Sequence, residues 1–330
     1  MAGVCDFRET RIVMNQGSIE FTKPTSAAYA RMKSILFAPF EADKWFVLGF
    51  TAWLATLMEG GGSSGGQTSY NESGTDEMDE TFETVSNWIG ENLELVIGLG
   101  ALILVIVIAV SLVLFWVSSR GKFMFLDNVI HNRALVKQPW AEFREEGNSL
   151  FLFFVIFLGI VTTVVLGLAG GLVALLYGTM NGDDVNWTVT VVGFCAGIGG
   201  LLFLVIVVAS YVGTLLEDFV IPLMHRDRQK VGAAWRQVMA LHCERTLSFV
   251  LYFLWKILIG LGVGILIVAF VFATCCIGGI LIAIPYLGAV VLLPVYVFMR
   301  ALGPEFLSQF GPGYDLWPGP DQLETAGYPE

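Results

Sequence analysis

Long runs of apolar residues without a charge dominate the chain. Four of them cover 95–117, 149–180, 187–216 and 257–299, which are 23, 32, 30 and 43 residues long. A helix needs about 20 apolar residues to cross the hydrocarbon core of a bilayer. Each of the first three runs therefore predicts one transmembrane helix. The fourth is too long for one helix and predicts two, joined by a tight hairpin.

A shorter apolar run at 45–58 has only 14 residues. It crosses a membrane only if the bilayer thins locally or if flanking turns extend the helix, so its full length stays open. Counting it gives six predicted spans, at about 45–62, 95–117, 149–178, 188–214, 248–274 and 280–301. The predicted organisation is a cytoplasmic N-terminal segment at 1–22, a membrane domain at 23–310 and a flexible acidic C-terminal tail at 311–330.

The membrane domain contains an internal repeat. The chain aligns with itself after a shift of 91 residues, and looser matches follow an insertion of three to four residues. The aligned pairs are Asp127 with Asp218, Val129 with Val220 and Ile130 with Ile221, and the looser ones are His131 with His225 and Trp140 with Trp235. In both copies a span is followed by an acid, a histidine and a tryptophan-bearing helix. We therefore predict an all-α membrane protein with six transmembrane helices, built from three repeats of an interfacial elbow plus a helical hairpin.

The three elbows are short amphipathic segments, the first at 24–44. Helices with aromatic residues on one side and basic residues elsewhere lie in the headgroup layer. Trp45, Trp140 and Trp235 are the predicted interfacial anchors. In the second elbow, Gly147-Asn148 predicts a helix stop followed by the N-cap of the next span. Glycine clusters within the apolar runs, at 167–171, 197–200 and 260–264, predict close helix contacts.

Composition supports a membrane protein and bounds its partners. Apolar residues make up 55% of the chain and charged ones 14%, with a mean hydropathy of +0.71, which excludes an ordinary soluble domain. The net charge of −11 arises largely from nine acids between 59 and 94 and five between 305 and 330. It therefore does not indicate nucleic-acid binding. The predicted partners are membrane lipids, while protein partners and a homo-oligomer are left open.

Basic residues give the orientation. Sixteen of the eighteen lysines and arginines precede span 1 or lie between spans 2 and 3 or spans 4 and 5. Because basic residues accumulate on the cytoplasmic side, both termini are predicted to be cytoplasmic.

Two acid–histidine pairs are candidates for chemistry. Asp127 with His131 and Asp218 with His225 supply carboxylates and imidazoles that would suit a metal ion or acid–base catalysis. The second pair is seven residues apart, however, and no HExxH-type cluster is present. The favoured interpretation is that these groups end the spans in water and headgroups, with no catalytic, cofactor or metal site and no enzyme activity. The adjacent Cys275 and Cys276 are interpreted as small apolar residues, with a redox pair as the alternative.

Lys256 is the one ionisable residue well inside a predicted span. A charge at that depth is costly unless its stem reaches the interface or the charge is paired. The repeat-equivalent Asp127 and Asp218 lie at matching depth, just below their apolar runs, and Lys256 points toward the same leaflet, where Glu217 or Asp218 could pair with it. The sequence therefore predicts a polar cluster of Asp127, Glu217, Asp218 and Lys256, with His131 and His225 at its rim.

Several motifs resemble a known group of proteins. They are WLATLMEGGGSSG at 53–65, FLDNVIHNR with PW and EGNSLF at 125–151, IPYLGAVVLLP at 284–294 and EFLSQFGPGYDLWP at 305–318. Together they resemble uncharacterised bacterial six-span membrane proteins related to the membrane domain of glycerophosphoryl diester phosphodiesterases. The resemblance implies a six-span bundle with interfacial elbows in a bacterial inner membrane. It does not imply phosphodiesterase activity, which belongs to a separate barrel domain in those proteins.

Two classes of function remain. The first is a structural or regulatory protein that organises the membrane, and the second is a transporter or channel for a small or lipid-like solute. The scarcity of charge within the spans favours the first, because a polar pathway through a bundle normally requires more polar residues. Kinked, proline-containing helices near Pro285 and Pro294 keep the second open.

Overall fold

The computed structural model describes residues 19–58, 90, 92–180 and 187–317. Within these ranges the chain is helical, with no β-strand. The predicted outer loop after span 1, the loop at 181–186 and most of the N-terminal segment lie outside the described residues.

The described helices follow one another with short connections. The first two are α1 (Thr22–Phe37) and α2 (Ala42–Thr56). After the gap come α3 (Leu93–Ile130), α4 (Lys137–Glu142), α5 (Arg144–Met180) and α6 (Trp187–Leu215). A π-helical turn (Leu216–Val220) continues α6 into α7 (Ile221–Asp227), followed by α8 (Val231–Glu244) and α9 (Thr246–Ala273). The last helices are α10 (Ile277–Ala283), α11 (Leu287–Val291) and α12 (Leu293–Leu307), before two short 3₁₀ turns at Ser308–Phe310 and Pro312–Tyr314.

Four of the described helical segments are long and apolar enough to cross a membrane. They are Leu93–Ile130, Arg144–Gly171, Ala196–Asp227 and Thr246–Ala273. These segments coincide with the predicted spans 2 to 5. The coarse prediction of an all-helical chain with several membrane-length helices is therefore confirmed.

The regions of the first and sixth predicted spans look different. Helix α2 has 15 residues before a turn at 57–58. The sixth region is divided into α10, α11 and α12, with breaks around Pro285-Tyr286 and at Leu292. Proline lacks the N–H that continues a helix, which accounts for a break beside Pro285 and for the new start at Pro294. Neither region is a single membrane-length helix.

One end of the long helices forms a densely packed region, which we call the packed core. It comprises 118–130 of α3 and 215–225 of the α6–α7 junction, together with the facing sides of α1, α2, α8 and α12, the first turns of α9 and the segment 310–316. Helix α3 continues to Ile130, well past the predicted end of span 2 at 117, and all thirteen residues from Ser118 to Ile130 are buried. Aromatic rings interlock at the centre, where Phe219 lies 5.0 Å from Tyr252 and 5.8 Å from Phe306.

The remaining lengths of the four long helices, which we call the apolar arms, are 93–114, 156–177, 192–208 and 257–272. Their described large apolar side chains are mostly exposed, for example Ile97, Leu166, Phe203 and Phe272. At the described arm glycines of the three predicted contact clusters, an added Cβ would meet no atom within 4 Å. The prediction that these glycines bring helices together is therefore wrong. Close approaches occur instead at other described glycines, among them Gly121 and Gly303 in the packed core.

Two predicted boundaries also change. Helix α5 begins at Arg144 and continues through Gly147-Asn148, so the predicted stop there is wrong. Gly147 instead lets Arg120 pack close, since a Cβ would lie 2.8 Å from the arginine Cγ. At the C-terminus, Tyr314 and Leu316 are buried in the packed core, although 311–330 was predicted to be a flexible tail. The rest of that tail, 318–330, lies outside the described residues.

Candidate functional site

Asp127 is the centre of the most connected polar site in the part of the chain that the structure describes. Its carboxylate lies in the last turn of α3 and is only 1% exposed. The two oxygens have different partners. Arg133 donates to Oδ2 from Nε at 3.0 Å and from Nη2 at 2.6 Å. His131 Nδ1 and His225 Nε2 approach Oδ1 at 3.0 Å and 3.1 Å.

The loop after α3 holds His131 and Arg133 in place. Asn128 accepts a hydrogen bond from the backbone N–H of Leu135 at 3.0 Å, and its amide donates to the Leu135 carbonyl at 2.9 Å. Asn132 has a φ of 51°. Asparagine tolerates this left-handed conformation better than most residues, which allows the tight reversal. The buried amide thus fixes the loop that returns Arg133 to Asp127.

His225 reaches Asp127 from a different element, the short helix α7. Its ring stacks on Phe143, with centroids 4.6 Å apart and planes 20° apart. The guanidinium carbon of Arg228 lies over the same Phe143 ring, 4.2 Å from its centroid. Arg228 also pairs with Glu146 at 3.2 Å. The imidazole orientation is therefore set by packing as well as by Asp127.

The π-helical turn directs two consecutive acids to different helices. Glu217 pairs with Lys122 of α3 at 2.5 Å. Asp218 accepts bonds from Lys256 at 2.6 Å and from the Tyr252 hydroxyl at 2.8 Å, both on α9. A π turn widens the helix locally and often occurs where side chains serve a specific purpose. Here it joins α3, α6 and α9 at one level.

Helix α12 closes this region from the C-terminal side. A Cβ at Gly303 would lie 2.4 Å from the Asp218 carbonyl oxygen, so only glycine fits. Three residues earlier, Arg300 donates from Nη2 to the Lys122 carbonyl at 2.8 Å. Helix α12 therefore contacts α3 beside Lys122 and the π turn beside Asp218.

Arg120 forms a further buried group at the junction of α3 and α5. Its Nη2 donates to Asn148 Oδ1 at 3.0 Å, and its guanidinium carbon lies 4.3 Å from the Trp116 ring centroid and 5.1 Å from that of Trp140. Trp116 donates to the same Asn148 oxygen at 3.0 Å. One asparagine thus connects the two long helices.

The contacts group the predicted cluster residues differently from the prediction. Asp127 contacts His131, His225 and Arg133, whereas Glu217 contacts Lys122 and Asp218 contacts Lys256. Both predicted rim histidines contact Asp127, and Lys256 has an acidic partner in Asp218. The described contacts form three groups along the packed core, one around Asp127, one between Lys122 and Glu217 and one between Lys256 and Asp218.

The three predicted anchors are half-buried and contact other parts of the protein. Trp45 donates from its indole to the Val290 carbonyl at 3.0 Å. Trp140 meets Trp116 edge-on at 5.8 Å, and Trp235 packs on Phe153 at 5.6 Å. Each tryptophan connects its elbow to a long or broken helix.

His242 and Tyr211 form a separate contact between α8 and α6. The hydroxyl lies 2.7 Å from His242 Nε2. Burial lowers the pKa of His242, because removal from water disfavours the charged imidazolium. The neutral ring can accept a hydrogen bond from the Tyr211 hydroxyl at Nε2.

The predicted cluster did not include four residues that belong to these groups, Lys122, Arg133, Tyr252 and Arg120. Lys122 and Arg120 were assigned to a cytoplasmic segment, and the continuation of α3 buries them. One signal was present: no glycine or proline turn signal separates the apolar run ending at 117 from Asp127 apart from the single Gly121. Arg133 is brought back by a loop, which no helical spacing predicts.

Comparison with known proteins gives a family and no described activity. A model of a family of unknown function, DUF7544, matches residues 22–310. No curated protein and no solved structure matches the chain. The match covers every helix described above.

Proposed function

The chain belongs to the DUF7544 family, and from the placement of its charges we propose that it is an integral membrane protein that organises the bilayer in a structural or regulatory role. Among the described residues, each buried ionisable side chain contacts another side chain of the protein: Arg120, Lys122, Asp127, Glu146, Asp218 and His225. This observation carries the proposal. Charges that are used to join helices are not arranged along a path for a solute.

The proposed architecture has six spans in three repeats. Helices α3, α5, α6 and α9 supply four spans. The proposal assigns the first span to α2 and the sixth to the α10–α12 segment, with bilayer thinning where α2 is short. The helix order supports the repeat, because a helix of 16, 6 or 14 residues precedes two apolar segments in α1–α3, in α4–α6 and in α8–α12.

The proposed location is a bacterial cytoplasmic membrane with both termini inside. The segregation of sixteen basic residues supports this orientation. Single cysteines replacing Ser73 and Thr325 in a cysteine-free background test it. An impermeant thiol reagent added to intact cells should label the first position and spare the second. Labelling in the opposite pattern would reject the orientation.

The elbows supply the proposed contact with lipid. Helices α4 and α8 carry exposed basic residues beside their packed faces, among them Lys137, Arg236 and the neighbouring Arg144. Basic side chains at the inner surface attract anionic headgroups with about 1 kcal/mol each. The packed core would then hold several such elbows at fixed separations, which is a means of organising lipids around the protein.

Lipid mass spectrometry tests this function. The chain is extracted in polymer-bounded native discs, and its lipids are compared with those of the whole membrane. We expect enrichment of anionic lipids, with a smaller enrichment for Lys137→Gln with Arg236→Gln. Lys33→Gln, an exposed change on α1 in the first elbow, removes a single charge and should therefore reduce the enrichment less than the double variant does. A lipid composition equal to that of the bulk membrane would contradict the proposal.

A transporter or channel is the second candidate, and one observation favours it. The α10–α12 segment is broken in the middle of its apolar run, and interrupted helices are typical of solute sites in transporters. Against it, a cavity of about 380 Å³ between α3 and α5 is mainly apolar, lined by residues such as Leu112 and Phe115. Another of about 530 Å³, lined by residues such as Phe50 and Tyr286, is mainly apolar as well. Flux of small ions and solutes into sealed liposomes that contain the chain would favour the transporter.

The relation to glycerophosphoryl diester phosphodiesterase membrane domains stays a prediction from the motifs. Three of the four quoted motifs include residues of the packed core, among them Asp127, Leu293 and Phe306. A shared packing role is the function that we propose for those motifs.

A further inference from the structure

We propose that Asp127, His131 and His225 bind a divalent transition-metal ion, of the kind that Zn²⁺ represents. The three side chains come from α3, its C-terminal boundary and α7. Each offers one ligand atom, and these atoms all lie within 4.8 Å of one another. The proposed role in organising the bilayer does not require these three side chains to meet, so a metal site goes beyond that role.

The donor set fits such an ion. Two imidazoles and one carboxylate are common ligands of Zn²⁺ and of its first-row neighbours. With bonds of about 2.0–2.2 Å, tetrahedral ligands stand roughly 3.3 Å apart. The distances from Asp127 Oδ1 to His131 Nδ1 and His225 Nε2 are 3.0 Å and 3.1 Å. These two distances match a tetrahedral site, and the two imidazole nitrogens, which lie within 4.8 Å of each other, would approach by at most about 1.5 Å when an ion binds.

Neighbouring side chains hold the ligands in position, as hydrogen bonds and packing do around metal sites. Ligating carboxylates are usually hydrogen-bonded on their outer side. Arg133 occupies Oδ2 and leaves Oδ1 directed at both rings. The Phe143 stack fixes the His225 ring in the buried part of the site. Because both Arg133 bonds go to Oδ2, only Oδ1 is available to an ion, while the positive charge of the guanidinium opposes cation binding.

Access is available on one side only. His131 is 35% exposed, whereas the other two ligands are 8% exposed or less. Three protein ligands leave a fourth position of a tetrahedral site for water or another small ligand, on the His131 side. A bound ion would join the end of α3 to α7, and with them two of the proposed repeats.

The alternative is a hydrogen-bonded group without a metal. In that case both rings donate N–H groups to Oδ1, and the site needs no ion. Because the same atoms serve both arrangements, binding must be measured directly. The chain has three histidines, so His242 provides a matched control outside the site.

The experiment uses the full chain in detergent, with a tag that contains no histidine and with its five cysteines changed to serine to remove thiol ligands. After treatment with a chelator, Zn²⁺ binding is measured by calorimetry and by metal analysis after dialysis. We expect about one ion per chain. His131→Ala should weaken binding at least about tenfold, while His242→Gln should leave it unchanged.

His131→Ala is the decisive variant, because its partial exposure makes folding tolerant of the change. Circular dichroism and gel filtration verify the fold, and His225→Ala is added only if it passes both. Co²⁺ in place of Zn²⁺ provides an absorption spectrum of the ligand field, which should disappear with His131→Ala. No bound ion in the parent chain, or equal binding in the His131→Ala and parent chains, would overturn the site. Either result leaves the bilayer proposal intact, since the lipid measurement does not depend on the ion.

Discussion

The packed core and the apolar arms belong to the same helices but are built in different ways. Residues 118–130 of α3 are all buried, while the apolar residues before 114 are mostly exposed. The core contains the buried charges and the interlocked aromatic rings. The arms present aliphatic side chains that suit lipid and make few specific contacts with one another. The helices are thus fixed to one another at one end by specific contacts, and their other ends are long and apolar enough to cross a membrane.

Glycine shows the same contrast. Gly121 and Gly303 lie where backbones come so close that a Cβ would be less than 3.0 Å from another helix. Gly197, Gly260 and Gly264 face open space in the arms. The same residue type therefore permits close packing in one region and has no packing role in the other.

The largest expected effect separates a core ring from an arm ring. Phe306 is 1% exposed and lies 4.4 Å from the Tyr252 ring, whereas Phe203 is 69% exposed. Phe306→Ala removes a buried ring and should lower the free energy of unfolding by about 4 kcal/mol. Phe203→Ala should change it by less than about 0.5 kcal/mol. SDS titration in bicelles measures both, and equal losses would remove the distinction between core and arms.

The glycine contrast provides the second prediction. Gly303→Ala places a methyl group against the Asp218 carbonyl, and we expect a loss of about 3 kcal/mol through overpacking. Gly264→Ala introduces the same methyl group in an arm and should be neutral within about 0.5 kcal/mol. The same unfolding assay applies. A tolerated alanine at 303 would mean that α12 does not approach the π turn this closely.

The third prediction concerns the charge pair between the π turn and α9. Lys256→Met leaves the buried Asp218 carboxylate with only the Tyr252 hydroxyl among its described partners, and should cost about 2 kcal/mol. Adding Asp218→Asn removes the uncompensated charge and should restore part of that loss. Lys23→Met, in a pair whose lysine is 75% exposed, is the control and should have almost no effect. Strictly additive losses in the double variant would show that the two charges do not interact.

The sequence predicted the arms better than the core. An uncharged run of 23 residues at 95–117 is enough to predict a membrane-length helix, because hydrocarbon thickness sets its length. The charge on Lys256 also predicted a nearby acid, since an isolated ion is costly there. The partners of Asp127 depend on a loop at 131–136 and on α7, which return Arg133 and His225 from different directions. Such convergence is a property of the tertiary fold, and no spacing along one helix contains it.

The smallest expected effect is a pH dependence at the edge of the packed core. Burial lowers the pKa of His242 in the folded state, while the unfolded chain keeps the ordinary value of 6.5. The folded state therefore binds fewer protons, and its stabilisation is present above about pH 6.5 and is lost as pH falls through the lowered pKa. Protonation also removes the Nε2 acceptor that faces the Tyr211 hydroxyl.

The free energy of unfolding should fall less between pH 7.5 and 5.0 in the His242→Gln variant than in the parent chain. The difference should be less than about 1 kcal/mol, since the ring is partly exposed. Tyr211→Phe removes the hydroxyl but keeps the histidine, so it should lower stability at pH 7.5 more than at pH 5.0. If His242→Gln made the chain more sensitive to acid, the imidazole would be stabilised as a cation, and its surroundings would favour charge rather than exclude it.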